Sequence, residues 1–336
     1  NIGGIIFETP PLEFNFDLSS NIALVLAKKT KQSPKKLAES IKKIIEENLD
    51  DFSTIEVAGP GFINFRFSPI TLQKLILNIL KSNDEFGSNN KNKKYNIEFV
   101  SANPTGPMHV GHSRGAIFGD VLSNLLIFNG NTVIKEYYIN DYGNQITNFT
   151  ESVYFRLREI KFKEKFIKKE NLYPGDYVVD IAQKILSEFP EIDLNNFKKN
   201  FVFLRKEALK HSMDLIKNDL KALGISHDNF VSETNLVEKN LVEKSVQYLK
   251  DKKFVEEGYL NPPKGEESKG WKKTKRLIFK STLFDDDADR ALQKNDGTWT
   301  YFANDIAYHS DKVSRNYDYL INILGADHIG YIKRIT

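Results

Sequence analysis

The chain has 336 residues, of which 40% are hydrophobic and 28% are charged, a balance typical of a globular protein of about two domains. It contains no cysteine, which excludes disulfide bonds, a thiol nucleophile and cysteine-ligated zinc. Its formal net charge is only +3, so any affinity for nucleic acid has to come from local basic patches.

The sequence shows no membrane-spanning segment and no secretory signal. No apolar run approaches the roughly 20 residues of a membrane-spanning helix, and the first residues lack the basic and apolar regions of a secretory signal. We therefore expect a cytoplasmic protein without membrane contact. The first residue is not Met, so we expect residues to be missing before it. The last residues carry no helix stop signal, so we expect a fragment that is incomplete at its C-terminal end.

Residues 1–81 are predicted to form a small α+β domain. Its expected elements, in chain order, are helix 22–29, helix 34–48, strands 55–57 and 62–67 around a Gly-Pro-Gly turn, and helix 68–80. Ser68 is the expected N-cap of the last helix. On the residues alone, the domain is equally consistent with a structural cap and with a contact surface for a partner.

A polar, Asn-rich segment over 82–94 is predicted to be a linker, and 95–150 the first half of a nucleotide-binding sheet. This half contains a strand over 95–100, a Pro- and Gly-rich loop, a helix that stops near Gly130, and a second strand over 132–139. The helix carries an apolar stripe formed by Ile117, Val121, Leu125 and Phe128.

His109 and His112 lie one helical turn apart where this helix begins, so both rings can face one ligand. A helix N-terminus at the carboxyl end of a strand favours anions, and an imidazole can donate a hydrogen bond to phosphate. The His-x-Gly-His segment therefore predicts a phosphate site, in which Gly111 allows a ligand to approach the backbone closely. Helix capping or core packing is the alternative role for the two histidines.

The remaining chain divides into an amphipathic, Lys- and Glu-rich stretch over 151–280 and a second stretch over 281–336. The first is predicted to be a largely helical insertion. The second is predicted to resume the sheet, which we expect to begin again at Leu277. Within it, Asp296-Gly297 is a hairpin turn signal, and Tyr301 and Asp305 share a face if a helix begins there.

Several of these segments carry a family resemblance. Residues 101–112, Ser-Ala-Asn-Pro-Thr-Gly-Pro-Met-His-Val-Gly-His, resemble the HIGH motif of class I aminoacyl-tRNA synthetases in its arginyl-tRNA synthetase form. The pattern Asp-Gly-x-x-x-Tyr-x-x-x-Asp over 296–305 and Gly-Ala-Asp-His over 325–328 resemble the same family in the same order. Residues 140–145 resemble its Gly-Asp-Trp-Gly-x-Gln segment, with Asn140 and Tyr142 as departures.

This resemblance, to the bacterial type of the family, implies a Rossmann-like class I catalytic domain with a largely helical insertion. The stretch around 57–65 resembles the family's N-terminal additional domain, which implies that the small α+β domain contacts tRNA. The resemblance also implies catalytic roles for His109 and His112. It places ATP against Pro107, His109, Gly111, His112, Asp327 and His328.

The expected contacts of the amino acid follow from the same resemblance and comprise Glu98, Ser101, Ala102, Asn103, His112, Asp141, Gln145, Tyr301, Asp305 and His328. Arginine carries a planar guanidinium that a carboxylate binds best through two parallel hydrogen bonds. Asp305, helped by the Tyr301 hydroxyl, is the preferred carboxylate, and Glu98 is a second possibility. Ser101 and Asn103 suit the α-amino and α-carboxylate groups.

The implied activity is that of an arginine–tRNA ligase, which activates L-arginine with ATP and transfers it to tRNA(Arg), with activation requiring bound tRNA. Mg²⁺ is expected to enter with ATP, no protein-bound metal is predicted, and a monomer is expected. The lysine-bearing KMSK loop of class I enzymes does not occur in these residues, so we expect little or no aminoacylation by this chain alone. Two alternatives stay open, namely another class I synthetase and a non-catalytic tRNA-binding paralogue.

Overall fold

The computed structural model describes residues 3–167, 169–260, 274–326 and 332. By its contacts the chain divides into two compact units, Asn1–Ser88 and Asn89–Thr336. Among the described residues, no helix combines the length and the apolar character needed to cross a membrane.

The first unit is built on a four-stranded antiparallel sheet. Its strands are β1 (Phe7–Glu8), β2 (Leu18–Ser20), β3 (Phe52–Ala58) and β4 (Phe62–Phe67), in the spatial order β1-β2-β4-β3, and its helices are α1 (Ile22–Thr30), α2 (Pro34–Asn48) and α3 (Pro69–Ser82). Alanines of α1 and α2 pack with Ile55, Ile63 and Phe65 of the sheet. The Ser68 hydroxyl caps α3 by accepting from the Thr71 amide at 3.2 Å, as predicted.

The second unit contains a four-stranded parallel sheet, a three-stranded antiparallel sheet and several helices. The parallel strands are β5 (Lys94–Glu98), β6 (Thr132–Ile139), β7 (Asn229–Ser232) and β11 (Tyr319–Asn322), and the antiparallel strands are β8 (Val255–Gly258), β9 (Arg276–Phe279) and β10 (Arg290–Ala291). The helices are α4 (Val110–Phe128), α5 (Asn144–Phe162), α6 (Asp176–Glu188), α7 (Phe197–Ala222), α8 (Glu233–Glu238), α9 (Leu241–Asp251) and α10 (Tyr301–Ser314).

The parallel sheet has the strand order β11-β5-β6-β7, which confirms the predicted α/β class. Because parallel strands end at the same edge of a sheet, the loops after β5, β6, β7 and β11 are brought together there. Helix α10 is bound to the sheet by Glu136 of β6, which is fully buried. The Glu136 carboxylate accepts from the hydroxyl of Tyr308 in α10 at 2.9 Å and also binds the guanidinium of Arg315, the C-cap residue of that helix.

Two details of the predicted boundaries need correction. β7 lies inside the predicted insertion, 151–280, yet it pairs with β6 in the parallel sheet. β9, where we expected the parallel sheet to resume, pairs instead with β8 and β10, and the parallel sheet resumes only at β11. β7 is a half-buried edge strand of four residues, too short for its apolar pattern to distinguish it from a loop.

Helices α5, α6 and α7 form a helical core of their own, in which Phe149, Leu157, Ile181 and Leu204 are buried. Helix α7 continues past this core, and its later residues Met213, Ile216 and Leu220 pack under the parallel sheet. The helical part of the predicted insertion is therefore tied to the sheet by one continuous helix.

Helix α4 packs on the sheet through its small residues Ala116, Gly119 and Ser123. A Cβ atom on Gly119 would lie 2.3 Å from the Phe99 ring, so the helix approaches the sheet too closely for a side chain there. The predicted stripe of Ile117, Val121, Leu125 and Phe128 lies on the exposed side of the helix instead.

Candidate active site

The loop after β5 contains two consecutive left-handed residues, Val100 (φ 70°) and Ser101 (φ 41°). A β-branched residue in this region is strained, and such strain persists where surrounding contacts impose it. Here the Ser101 hydroxyl supplies them, because it donates to Glu98 at 2.9 Å and accepts from the Tyr138 amide at 3.0 Å. The serine thereby joins the ends of β5 and β6.

His109 and His112 cap helix α4 reciprocally. Nδ1 of His109 accepts from the Gly111 amide at 3.1 Å, and Nδ1 of His112 accepts from the His109 amide at 3.3 Å. The rings stack with their centroids 3.7 Å apart. A Cβ on Gly111 would lie 3.0 Å from the His109 ring, so glycine leaves room for this cap.

The cap determines which ring nitrogens carry a proton. Because both Nδ1 atoms accept hydrogen bonds, each neutral ring carries its proton on Nε2. Burial and the neighbouring His109 lower the pKa of His112, which favours this neutral form. Capping and phosphate binding, which the sequence left as alternatives, are therefore compatible, since Nδ1 serves the cap and Nε2–H stays available for a ligand.

A cavity of about 450 Å³ lies at the carboxyl edge of the parallel sheet. Six of the predicted arginine contacts line it, namely Glu98, Ser101, Asn103, Gln145, Tyr301 and Asp305. They come from β5, the loop after it, α5 and α10, which supports the expected convergence of distant segments. The other lining residues are Val100, Tyr138, Asn140, Glu233, Tyr308, His309, Asn322, Ile323, Leu324 and Gly325.

Three predicted contacts of the amino acid do not line this cavity. Ala102 is buried, and its carbonyl accepts from the Tyr137 hydroxyl at 2.8 Å. His112 belongs to the helix cap. The Asp141 carboxylate accepts from the Ser232 hydroxyl at 2.7 Å and from the Thr234 amide at 2.8 Å, which fixes the start of α8. No local sequence pattern indicates this partner, because the four residues of β7 are too few to identify a strand.

Among the lining residues that the sequence did not predict, Glu233 is the acidic one. It is the first residue of α8 and is 1% exposed. Its Oε1 accepts from the Asn304 amide group at 2.6 Å, while Oε2 has no hydrogen-bond partner among the described residues. The pKa of Glu233 is raised to about 7, chiefly by burial and also by Asp305 and Asp141, against the lowering effect of Asn304.

Glu98 is paired inside the protein. The ammonium of Lys312, a fully buried residue of α10, donates to Glu98 and to Asn322 of β11, the latter at 2.7 Å. Asn322 in turn donates to Nε2 of His309 at 2.8 Å, and Nδ1 of His309 lies 2.8 Å from the Asp305 carbonyl. Since a carbonyl only accepts, this chain of bonds places the His309 proton on Nδ1.

The remaining predicted ATP contacts are only partly described. Pro107 lies in the loop directly before α4, next to Met108, whose amide donates to Asp219 of α7 at 3.2 Å. Asp327 and His328 lie outside the described residues. The described part of the edge therefore combines a helix N-terminus with two Nε2–H donors and a neighbouring acidic cavity.

Comparisons with known proteins bear on this arrangement. Residues 3–67 match the family model described as the arginyl tRNA synthetase N terminal domain, and residues 75–333 match that of tRNA synthetases class I (R), catalytic domain. The chain is similar to arginine–tRNA ligases of Pelagibacter ubique, at 52% identity, and of a Wolbachia from Brugia malayi, at 45%. Both alignments cover 100% of this chain but 59% of the relative, so the chain spans about three fifths of their length.

The chain is also similar to a solved structure of the same family. A Campylobacter jejuni protein described as an arginyl tRNA synthetase superimposes with a TM-score of 0.70 at 34% identity. The superposition covers 80% of this chain and 56% of the other.

Proposed function

The chain belongs to the class I arginyl-tRNA synthetase family, and we propose that it contributes the arginine- and ATP-binding site of an arginine–tRNA ligase. The observation that carries this proposal is the cavity that Asp305, Glu233 and Tyr301 line together. Two carboxylates and a hydroxyl offer a guanidinium more acceptors than a single ammonium can use.

In this proposal the guanidinium lies against Asp305 and Glu233. Glu98 is not the guanidinium partner, because Lys312 already compensates its charge. Its oxygen that accepts from Ser101 faces the α-amino end instead, together with Ser101 and Asn103. The side chain of Gln145 holds Asn103 by accepting from its amide at 3.0 Å. The amino acid thus extends from the loop after β5 towards α10.

On the nucleotide side, Nε2–H of His109 and His112 would donate to the phosphates of ATP. The arginine carboxylate attacks the α-phosphorus, the bond to the pyrophosphate oxygen breaks, and negative charge accumulates on the leaving group. Neutral imidazole donors and the N-terminus of α4 stabilise that charge. Mg²⁺ would enter with the ATP phosphates, and we assign it no protein ligand here. We further propose tRNA(Arg) as the partner, contacted in part by the first unit, and a monomeric state.

The test is ligand-induced stabilisation of the chain by free amino acids. At a ligand concentration of 100 times its Kd, stabilisation is about 2.7 kcal/mol, enough for a clear rise in Tm. We expect arginine to raise Tm and lysine and glutamate to leave it unchanged, with ATP present in all samples. Stabilisation by a different amino acid would indicate another class I synthetase, and none by any amino acid would favour a non-catalytic paralogue.

Matched variants locate the binding determinant. Asp305→Asn should abolish the arginine-dependent rise in Tm. Glu238→Gln removes the same charge from an exposed position of α8, and it should leave the rise intact. An equal loss in both variants would mean that overall charge, and not the cavity wall, selects the ligand.

A further inference from the structure

A second cluster of ionisable side chains lies between α6 and α7, and none of its members lines the cavity. It consists of Glu188, the last residue of α6, with Glu207 and His211 of α7. One ligand atom from each residue lies within 4.8 Å of the others. Glu207 and His211 are four residues apart, so one turn of helix presents both to the same point.

The buried members of this cluster are poorly compensated. His211 is 4% exposed, and its Nε2 has no hydrogen-bond partner among the described residues, although Glu188 Oε1 lies 3.4 Å away. Glu207 is 6% exposed, and the Lys210 ammonium lies 3.5 Å from its Oε2. Buried polar groups are normally satisfied, so an imidazole nitrogen without a hydrogen bond, within 4.8 Å of two carboxylates, calls for a ligand.

Glu188 is also unfavourably placed for a carboxylate. It lies at the C-terminus of α6, where the helix dipole favours a cation. Lys210 supplies one at present, because its ammonium lies 2.9 Å from Glu188 Oε2. The Lys210 side chain is 49% exposed, so it can move into solvent without opening the helical core.

We propose that Glu188, Glu207 and His211 form a binding site for a divalent first-row transition metal, for which Zn²⁺ is the probe. One imidazole nitrogen and two carboxylates are ligands that Zn²⁺ accepts, with a water in the fourth position. Zinc bonds of about 2.0–2.2 Å require the donors to approach more closely than they do here. The Glu188 side chain, which is 41% exposed, can swing inward as Lys210 leaves.

The competing explanation is an ion pair in which protonated His211 faces Glu188 and no metal binds. The two explanations differ in the role of Lys210. In a metal site its ammonium competes with the metal, so its removal strengthens metal binding. In a simple ion-pair cluster, removal of the Lys210 ammonium leaves the charges of Glu188 and Glu207 less well neutralised and creates no specific Zn²⁺ binding.

The experiment is a Zn²⁺ titration of the chain by calorimetry at pH 7.5, repeated with Co²⁺ to follow its absorption bands. We expect one Zn²⁺ per chain at this site. Glu188→Gln and His211→Gln should weaken binding by about tenfold or more, and Lys210→Met should strengthen it. Glu188 and Lys210 are partly exposed, so their variants test the site even if His211→Gln does not fold.

Glu191→Gln is the matched control, since it removes one exposed carboxylate from the adjoining loop. It should bind Zn²⁺ with the affinity of the parent chain. Zinc held by the stacked histidines of α4 would respond to none of these changes. The proposal is overturned if no Zn²⁺ binds. It is also overturned if Glu188→Gln and Lys210→Met both bind Zn²⁺ with the same affinity as the control Glu191→Gln.

Discussion

Glu233 combines burial, two acidic neighbours and a position on the cavity wall. An unperturbed glutamate titrates near 4.3, whereas burial raises the pKa of Glu233 to about 7. Between these values the unfolded chain loses a proton that the folded chain keeps, so this residue makes stability fall as the pH rises. Above pH 7 the folded protein holds an ionised buried carboxylate, at a cost on the order of 3 kcal/mol.

We therefore predict opposite effects of Glu233→Gln on stability and on binding. Its free energy of unfolding, measured by urea denaturation, should exceed that of the parent chain at pH 8 by about 1–3 kcal/mol and match it near pH 5. Arginine affinity should fall about tenfold or more, because a charged hydrogen bond is lost. Lower stability at both pH values with unchanged arginine binding would contradict both assignments.

The two histidines of the helix cap offer a direct spectroscopic test. We predict that ¹⁵N chemical shifts at pH 7.5 show a protonated Nε2 and an unprotonated Nδ1 in both His109 and His112. His112 should titrate below the usual range of histidine, because burial and His109 lower its pKa. Ser113→Ala, one residue beyond the motif, should leave both patterns unchanged. A proton on either Nδ1 would refute the cap as described.

At the scale of elements, Lys312 joins α10 to two strands of the parallel sheet. Lys312→Met leaves Glu98 as an uncompensated buried charge, and we predict a loss of about 3–5 kcal/mol in the free energy of unfolding. The double variant Lys312→Met with Glu98→Gln should recover most of it, since no charge is then left unpaired. Urea denaturation of the set at pH 7.5 measures both. Equal losses in the single and double variants would show that packing, and not charge, determines the effect.

The contact between α4 and β5 provides a second element-scale prediction. Gly119→Ala should destabilise the chain by about 1–3 kcal/mol, because the new methyl group meets the Phe99 ring. Gly115→Ala is the control, since a Cβ there meets nothing within 4 Å. It should stabilise the chain by up to about 1 kcal/mol through helix propensity. Thermal denaturation compares the two, and a stabilised Gly119→Ala would mean that the helix can move away from the sheet.

Elements with a long periodic pattern were predictable from the sequence, and short edge elements were not. Helix α2 occupies its predicted range, 34–48, and the predicted strand 132–139 is found as β6. The four residues of β7 carry too little pattern to identify a strand, and its place in the sheet depends on hydrogen bonds to β6. The orientation of α4 was also not evident, because its large apolar residues lie on both sides: Leu122 and Leu126 pack with Ala116 in the core, whereas the predicted stripe is exposed.

For the molecule as a whole, the order of its two units and the location of the cavity followed from the sequence. Loops after parallel strands meet at one sheet edge, so residues as distant as Ser101 and Asp305 could be expected to share a cavity. The ionic partners within that edge could not be expected. The pairing of Lys312 with Glu98 links residues 214 positions apart, and no local pattern signals it. The place of Glu233 in the cavity could not be expected either, because it follows from the pairing of β7, the strand directly before it, with β6.

Asp141 shows how a residue that does not line the cavity can affect the site as strongly as one that does. Its carboxylate accepts hydrogen bonds from Ser232 and Thr234, the two residues that flank Glu233, and so fixes the turn that carries Glu233. A substitution there would loosen that turn and so mimic the phenotype of a damaged ligand contact. A screen for variants that lose the proposed arginine binding would thus recover Asp141 alongside residues that touch the ligand, and only a ligand-bound structure or a paired-variant measurement would distinguish the two.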